Sequence, residues 1–534
     1  MLAAVPRYNQ IALRLRLHTR FGLIAFLLFC ALWAASCAVP LGPGYVVEKQ
    51  EIRVQFAPPA QTIHIETAYE LRNTGNRPIR EMEILFPGER RLHHGPATIK
   101  WDGAEMALES VPDHPRNSVL RFEKPWPVSA AHSLRISYEI LPPAEGVDAL
   151  SFAPDAFYLP AAGWSPELPQ ISGLFGFGGV PPKTWELVVT VPDGFLVHTS
   201  GTLKKAPRQS AGTRTMRALQ TVDERYPFVV AGRYSAAEIR NAHQNIILWS
   251  RASRDSGVLR QASSELAHTI DVYNASFGAP ANRVKAFWIV ECPVPGSCVS
   301  NFHSSVATLL DADARDESSA ELASSDTVMV DPSKGAPKLA AAAAPSLAAS
   351  WLGYGRNPGF YVQTPPLSQL PIFAAAQARE KIDGPQVRGE TIRRGLRLIP
   401  DLGPATPYSA ASPPLSALFA VPQSGPPESA EVVRAKSLLF FYALQDRYGE
   451  RTFHDAIAHM LYARASRGFD IDDLIAAFEE EIHQNVAEFV RHWMKRPGVP
   501  ADFRARYENA AAATAAPRQQ PAVASIFQSK GDLP

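Results

Sequence analysis

A surplus of charge of either sign is missing from this chain. Its 534 residues carry 53 Lys and Arg against 52 Asp and Glu, a net charge of +1. Nucleic-acid binding as the main task is thereby excluded, because neutralising phosphates needs a concentrated cationic face. Several catalytic signatures are absent as well. No G-x-S-x-G, no S-x-x-K and no phosphate-cradling glycine loop occurs. Histidine is missing between His303 and His454, and no acidic residue precedes Glu48. What is present is a hydrophobic content of 46%, which excludes global disorder, and 47 prolines, which favour loops and strand edges.

The acid-free N-terminus holds Arg7, Arg14, Arg16 and Arg20, followed by the apolar run 21–35. A positive flank before roughly fifteen apolar residues reads as a secretory signal rather than a full membrane span. The run ends Ala34-Ala35-Ser36-Cys37, which is similar to a bacterial lipoprotein cleavage box with Cys37 as the lipidated residue. An uncleaved signal anchor and ordinary signal-peptidase cleavage are the alternatives. All three export the chain to the cell envelope or periplasm, with everything after residue 40 outside. There Cys292 and Cys298, in ECPVPGSC, are expected to form a disulfide. A zinc role for the pair needs two further ligands, and only His303 is local.

From residue 45 to 240 the pattern is strand-like. IRVQF, TIHIETAYELRN, REMEILFP, ATIKW, SVLRFE and HSLRISYEIL alternate and are separated by turn signals. A strand, a Pro-Asp-Gly turn and a second strand follow in TWELVVTVPDGFLVHTSG. A twisted β-sheet or sandwich domain is expected here. Residues 241–508 change character. NIILWS, VKAFWIVEC, SVATLLD and DTVMVDP read as strands, and the segment after NIILWS as an amphipathic helix. An alanine-rich stretch at 338–350 reads as a buried helix interrupted by Pro345. Helices are expected over 431–448 and 471–481, with residues 451–465 between them, and a disordered tail over 509–534.

That order of elements resembles the exported zinc aminopeptidases of the gluzincin type, the alanyl-aminopeptidase family. The passages carrying the likeness are PPKTWELVVTVPDGFLVHTSGTL, YPFVVAGRY, TIDVYNASFGAPANRVKAFWIVEC, KSLLFFYALQDRYGERTFHDAI and IDDLIAAFEEEIHQNVAEFVRHWMKRPGVP. The resemblance implies an α+β protein: an N-terminal twisted β-sheet or sandwich domain, then a thermolysin-like α/β and helical domain. It also implies an H-E-x-x-H-x-W-x-G helix, whose two histidines share one face and bind zinc while the glutamate activates water.

The matching stretch is PSLAASWLG, residues 345–353. Trp351 and Gly353 match, but Pro345 and Ala349 stand at the ligand positions and Ser346 at the general-base position. Ser368 stands where the resemblance implies the third, glutamate ligand, and Arg434 where it implies a transition-state tyrosine. SCVSNFHSS replaces the G-x-M-E-N motif that holds the substrate amine. The histidine gap makes the same point in any register, since no H-E-x-x-H exists anywhere in the chain. His454 and His459 are five apart and point to different sides of a helix.

Other candidates read as surface features. His93-His94 reads as a solvated loop and Glu479 to Glu481 beside His483 as a solvated helix face. Asp311, Asp313, Asp316 and Glu317 read as a polar insertion loop, since Asp316 stands where a calcium loop needs glycine. Trp351 reads as a core residue. The expectation is therefore an exported, membrane-anchored relative of zinc aminopeptidases that lacks catalysis and has no cofactor. It would bind a peptide or an envelope protein in a remnant cleft or on the β-domain. The rival is an active metallopeptidase with zinc ligands displaced to His303, His454 or His459, or a metal-free hydrolase. A purely structural envelope protein is the third reading.

Overall fold

The computed structural model describes residues 44–57, 61–86, 93–111, 114–141, 152–160, 164–172, 176–179, 182–205, 212–220, 227–251, 256–280, 284–294, 320–324, 326–352, 366–399, 427–463, 470–495 and 498–515. Buried and exposed residues alternate along Tyr45–Ala57 and Thr62–Asn73, which pair antiparallel from Tyr45 opposite Asn73 to Ala57 opposite Thr62. On its other side Tyr45–Ala57 pairs in parallel with Trp185–Pro192. These strands are the middle of a nine-stranded sheet. A three-stranded sheet of Ile79–Leu85, Glu109–Val111 and His114–Trp126 closes over it. Met82, Ile84, Leu120 and Trp126 share one core with Val54, Ile65 and Leu134. The sandwich expected from alternation is thus formed.

The Pro-Asp-Gly turn is used differently from a hairpin. Trp185–Pro192 pairs with Tyr45–Ala57 and Thr213–Leu219, whereas Leu196–Thr199 pairs with Val229–Gly232 in a separate four-stranded sheet. That smaller sheet leads directly into the second unit.

There, Tyr234–Ile239, Asn245–Arg251, Ala286–Glu291, Thr327–Val330 and Ala320–Ser324 lie side by side in that order. The three inner strands are parallel, and helix α1, Gly257–Phe277, makes the crossover between the first two. Helix α2, Ala336–Ala348, packs on α1 and on this sheet. Pro345 lies inside α2 without interrupting it, three residues before the helix ends. The strand SVATLLD lies outside the described residues.

Helices α3 (Leu370–Asp383), α4 (Gln386–Leu398), α5 (Pro427–Tyr448), α6 (Glu450–Ala463), α7 (Ile471–Ile482), α8 (Ala487–Lys495) and α9 (Ala501–Ala515) complete the helical part. Asp470 caps α7 in a reciprocal capping box with Asp473, which explains its sharp start. Helix α9 runs through residue 509, past the point where the sequence places the tail. Among the described residues no helix is long and apolar enough to cross a membrane. The apolar run 21–35, Cys37 and Cys298 lie outside them.

Between the units, Tyr158, Phe228 and Val230 pack on Tyr234, Trp249, Val290, Cys292 and Met329. Cys292 is buried and disulfide-bonded. Arg251 crosses the same junction, its guanidinium donating to the Asp155 carboxylate and the Pro293 carbonyl. His198 lies flat on Trp288, with ring centroids 3.9 Å apart. Thr327 Oγ1 donates to Asp326 at 2.8 Å, so the hydroxyl oxygen accepts the Nε2–H of His198, also at 2.8 Å.

Burial lowers the pKa of His198 from 6.5 to about 4, partly opposed by Asp326. The unfolded chain therefore binds a proton at pH values where the folded one does not. The stability this group contributes is complete above pH 6.5 and is lost as pH falls towards about 4. Roughly 3 kcal/mol is expected to disappear over that window. The urea midpoint of the chain should fall accordingly, and His198→Phe should flatten the dependence. An unchanged slope in that variant would remove His198 from the account.

Candidate functional site

Helix α2 is apolar apart from Lys338 and Ser346, and it packs against α1, α3 and the second sheet. The positions compared with metal ligands are carried into the core with it. Pro345 is buried, Ser346 is 3% exposed and Ala349, just past the helix end, is 5% exposed. Ala343, Ala344, Leu347 and Ala348 belong to the large core cluster together with Ala349. Ser368 sits in a single 3-10 turn, Leu367–Gln369, that packs on α3 and α5. Its hydroxyl accepts the Gln369 Nε2–H at 3.0 Å. Arg434 is half-buried on α5, so the fold brings its helix against the turn carrying Ser368.

Trp351 is 2% exposed and stacks on Phe287 with centroids 5.3 Å apart. Its Nε1–H donates to the Gly278 carbonyl at 2.9 Å. It is the core residue the sequence suggests.

The histidines available to the rival reading are dispersed. His303 lies outside the described residues. His454 meets Gln377 Oε1 at 3.2 Å, and burial lowers its pKa although Glu450 works the other way. His459 is 3.1 Å from Glu480 and 3.7 Å from Glu481. Among the described residues no three His, Cys, Asp or Glu side chains are grouped to hold a metal ion.

The expected solvated helix face is present, with Glu480, Glu481 and His483 exposed, whereas the expected solvated loop at His93-His94 needs correcting. Glu479 Oε1 accepts the backbone N–H groups of Val486 and Ala487, capping the start of α8, while Glu480 and Glu481 bind His459. His93–His94 is a short strand paired with Ala131–Leu141, and His94 packs between Phe86 and Tyr138. That departure arises because neighbours distant in sequence supply the partners of His94. The acidic residues 311–317 lie outside the described residues.

Lys436 is the residue that sequence reasoning passed over. It is 1% exposed, and burial lowers its pKa to about 8. The signal was available: Lys436 heads KSLLFFYAL, whose apolar residues go all round the helix, so a charged residue beside them is drawn inside. An amine with a populated neutral form suits a base. At this depth no substrate reaches it.

No protein-family model matches this chain, and no curated protein matches it. Solved structures do. It is similar to a two-domain M1 zinc metallopeptidase bound to L-tryptophan, with a TM-score of 0.55, 14% identity, and coverage of 86% of this chain and 96% of that one. It is similar also to the M1 zinc metallopeptidase from Deinococcus radiodurans, with a TM-score of 0.54 at the same identity and coverage. The expectation of no cofactor is corrected by this finding, since the structures sharing the fold are zinc metallopeptidases. The residues on α2 nevertheless do not fit zinc. Proline and alanine side chains offer no lone pair, and the Ser346 hydroxyl is a neutral, weak ligand. At this identity the likeness establishes architecture: the chain has the mixed α+β fold of the two-domain M1 peptidases, a sheet-rich N-terminal domain followed by a largely helical one.

Proposed function

We propose that this chain is an exported, membrane-anchored binding protein built on a peptidase fold, with peptide hydrolysis lost from α2. The observation that carries the reading is the burial of Pro345, Ser346 and Ala349 within an apolar core. Hydrolysis of this type needs an open metal position and a base beside it. Neither side-chain chemistry nor access is present there. Lipid at Cys37 holds the chain to the membrane, and a Cys292–Cys298 disulfide suits the oxidising side. Its ligand is a peptide or an envelope protein.

The test is an assay of the full-length chain, purified from membranes and supplied with zinc, against chromogenic aminoacyl and short peptide substrates. No hydrolysis above the buffer rate is expected, and palmitate label should be lost in Cys37→Ala. Zinc-dependent turnover, abolished by a chelator and restored by metal, would overturn the loss of catalysis. It would favour ligands displaced to other segments.

A further inference from the structure

Helices α5, α8 and α9 line a half-open pocket of about 390 Å³, far along the chain from α2 and unused by the reading above. That volume lies within the range of small-molecule sites. Its floor is aromatic. Trp493 meets Phe503 edge-on at 5.4 Å, and Phe489 lies 6.5 Å from Trp493. Its walls carry Arg447 and Arg506 on one hand, Glu488 and Asp502 on the other.

Arg447 lies over the Phe489 ring at 5.1 Å from its centroid, and among the described residues it pairs with no carboxylate. A guanidinium stacked in this way keeps its N–H edges for a planar anion. Arg506 spends one edge on Asp446, at 3.2 Å. The start of α8 does not compete for the anion. Its first N–H groups are already bound by Glu479, and that of Glu488 by Asn485.

Two charges of each sign around an aromatic floor select among ligands. A phosphate would face Glu488 and Asp502, and an uncharged apolar molecule would desolvate charged groups without replacing their partners. A small zwitterion satisfies both signs. We propose that this pocket binds a free amino acid or dipeptide with an apolar side chain. The carboxylate meets Arg447, the ammonium meets Glu488 or Asp502, and the side chain lies on Trp493 and Phe503.

The test is calorimetric titration of the full-length chain with L-phenylalanine, L-phenylalaninamide and 3-phenylpropionate. L-Phenylalanine is expected to saturate with a Kd on the order of 0.1–1 mM. Each analogue lacking one charge should bind at least about tenfold more weakly, the loss of one charge-assisted contact. Arg447→Gln should weaken L-phenylalanine about tenfold and leave the amide unchanged. Glu488→Gln, at an exposed position, reports the same pocket from the ammonium side. Equal binding of all three probes would reduce the site to aromatic contact and overturn the proposal. Absence of saturation by L-phenylalanine would overturn it too, as would binding indifferent to both substitutions.

Discussion

Replacing Trp351 by alanine is expected to lower stability by roughly 4 kcal/mol, the upper part of the range for a large aromatic removed from a core. The side chain ties the segment just past α2 to the strand Ala286–Glu291 and to α1 with its C-cap. Its ring stacks on Phe287 of the strand Ala286–Glu291, its edge reaches Tyr273 of α1 at 5.2 Å, and its Nε1–H binds the carbonyl of Gly278 just beyond α1. Alanine leaves a void that helices anchored elsewhere cannot close, together with an unpaired carbonyl. Trp351→Phe should recover most of the loss and keep a deficit of about 1 kcal/mol from the missing hydrogen bond. Urea unfolding followed by tryptophan fluorescence and circular dichroism measures both. A Trp351→Ala change below 1 kcal/mol on the same axis would mean that α2 is held by its alanines alone. The expected result would give Trp351 a role independent of any chemistry on α2. Its work is packing, which does not depend on a metal.

The second large effect is expected at Asp446, near the end of α5. One carboxylate gathers three donors from two other helices. Arg388 of α4 approaches Oδ1 at 2.6 Å, while Arg506 and Tyr507 of α9 approach Oδ2 at 3.2 Å and 2.7 Å. Asp446 is 13% exposed and Arg388 22%, so the pair is shielded from water on most sides. Arg388 also donates to Gln445 at 2.6 Å and lies over the Tyr442 ring at 4.9 Å. Asp446→Ala partly strands the Arg388 charge, leaving Glu380 at 3.7 Å as a partner, and should cost about 3 kcal/mol, the lower end for breaking a buried pair from one side. Adding Arg388→Met removes the stranded charge, so the double variant should be destabilised by less than the sum of the two single changes. Equilibrium unfolding of the four proteins in the cycle decides it. Strict additivity would show that the two groups are not coupled.

Much of the architecture was legible along the chain. Alternation along TIHIETAYELRN and HSLRISYEIL places every second residue on one face, and those residues are the ones buried between the sheets. Helical spacing in GVLRQASSELAHTIDVYNASF likewise puts Leu259, Leu266, Ile270 and Tyr273 inside. The helix expected from residue 471 begins there, as α7. The candidate site was legible mainly by subtraction. A chain without H-E-x-x-H cannot present that constellation in any register, and no packing arrangement supplies side chains the sequence does not contain. The degree of burial at Ser346 and Ala349 was not legible, because it depends on what packs against α2.

What the sequence by itself determined is periodic and local: strands before helices, the alanine-rich α2, the caps and the absence of the zinc signature. Each follows from the side-chain period of 2 or 3.6, or from residue types alone. The tertiary structure decided everything set by pairs distant in the chain. Trp185–Pro192 and Leu196–Thr199 part into different sheets because they take different partners, Tyr45–Ala57 and Thr213–Leu219 for the first and Val229–Gly232 for the second. His198 is held neutral by Trp288 and Thr327, about ninety and a hundred and thirty residues away. Glu479, Glu480 and Glu481 divide between a helix cap and a histidine, and the aromatic pocket forms only where α5, α8 and α9 converge. Burial and charge pairing are properties of three-dimensional neighbours, and local periodicity carries no record of which neighbours arrive.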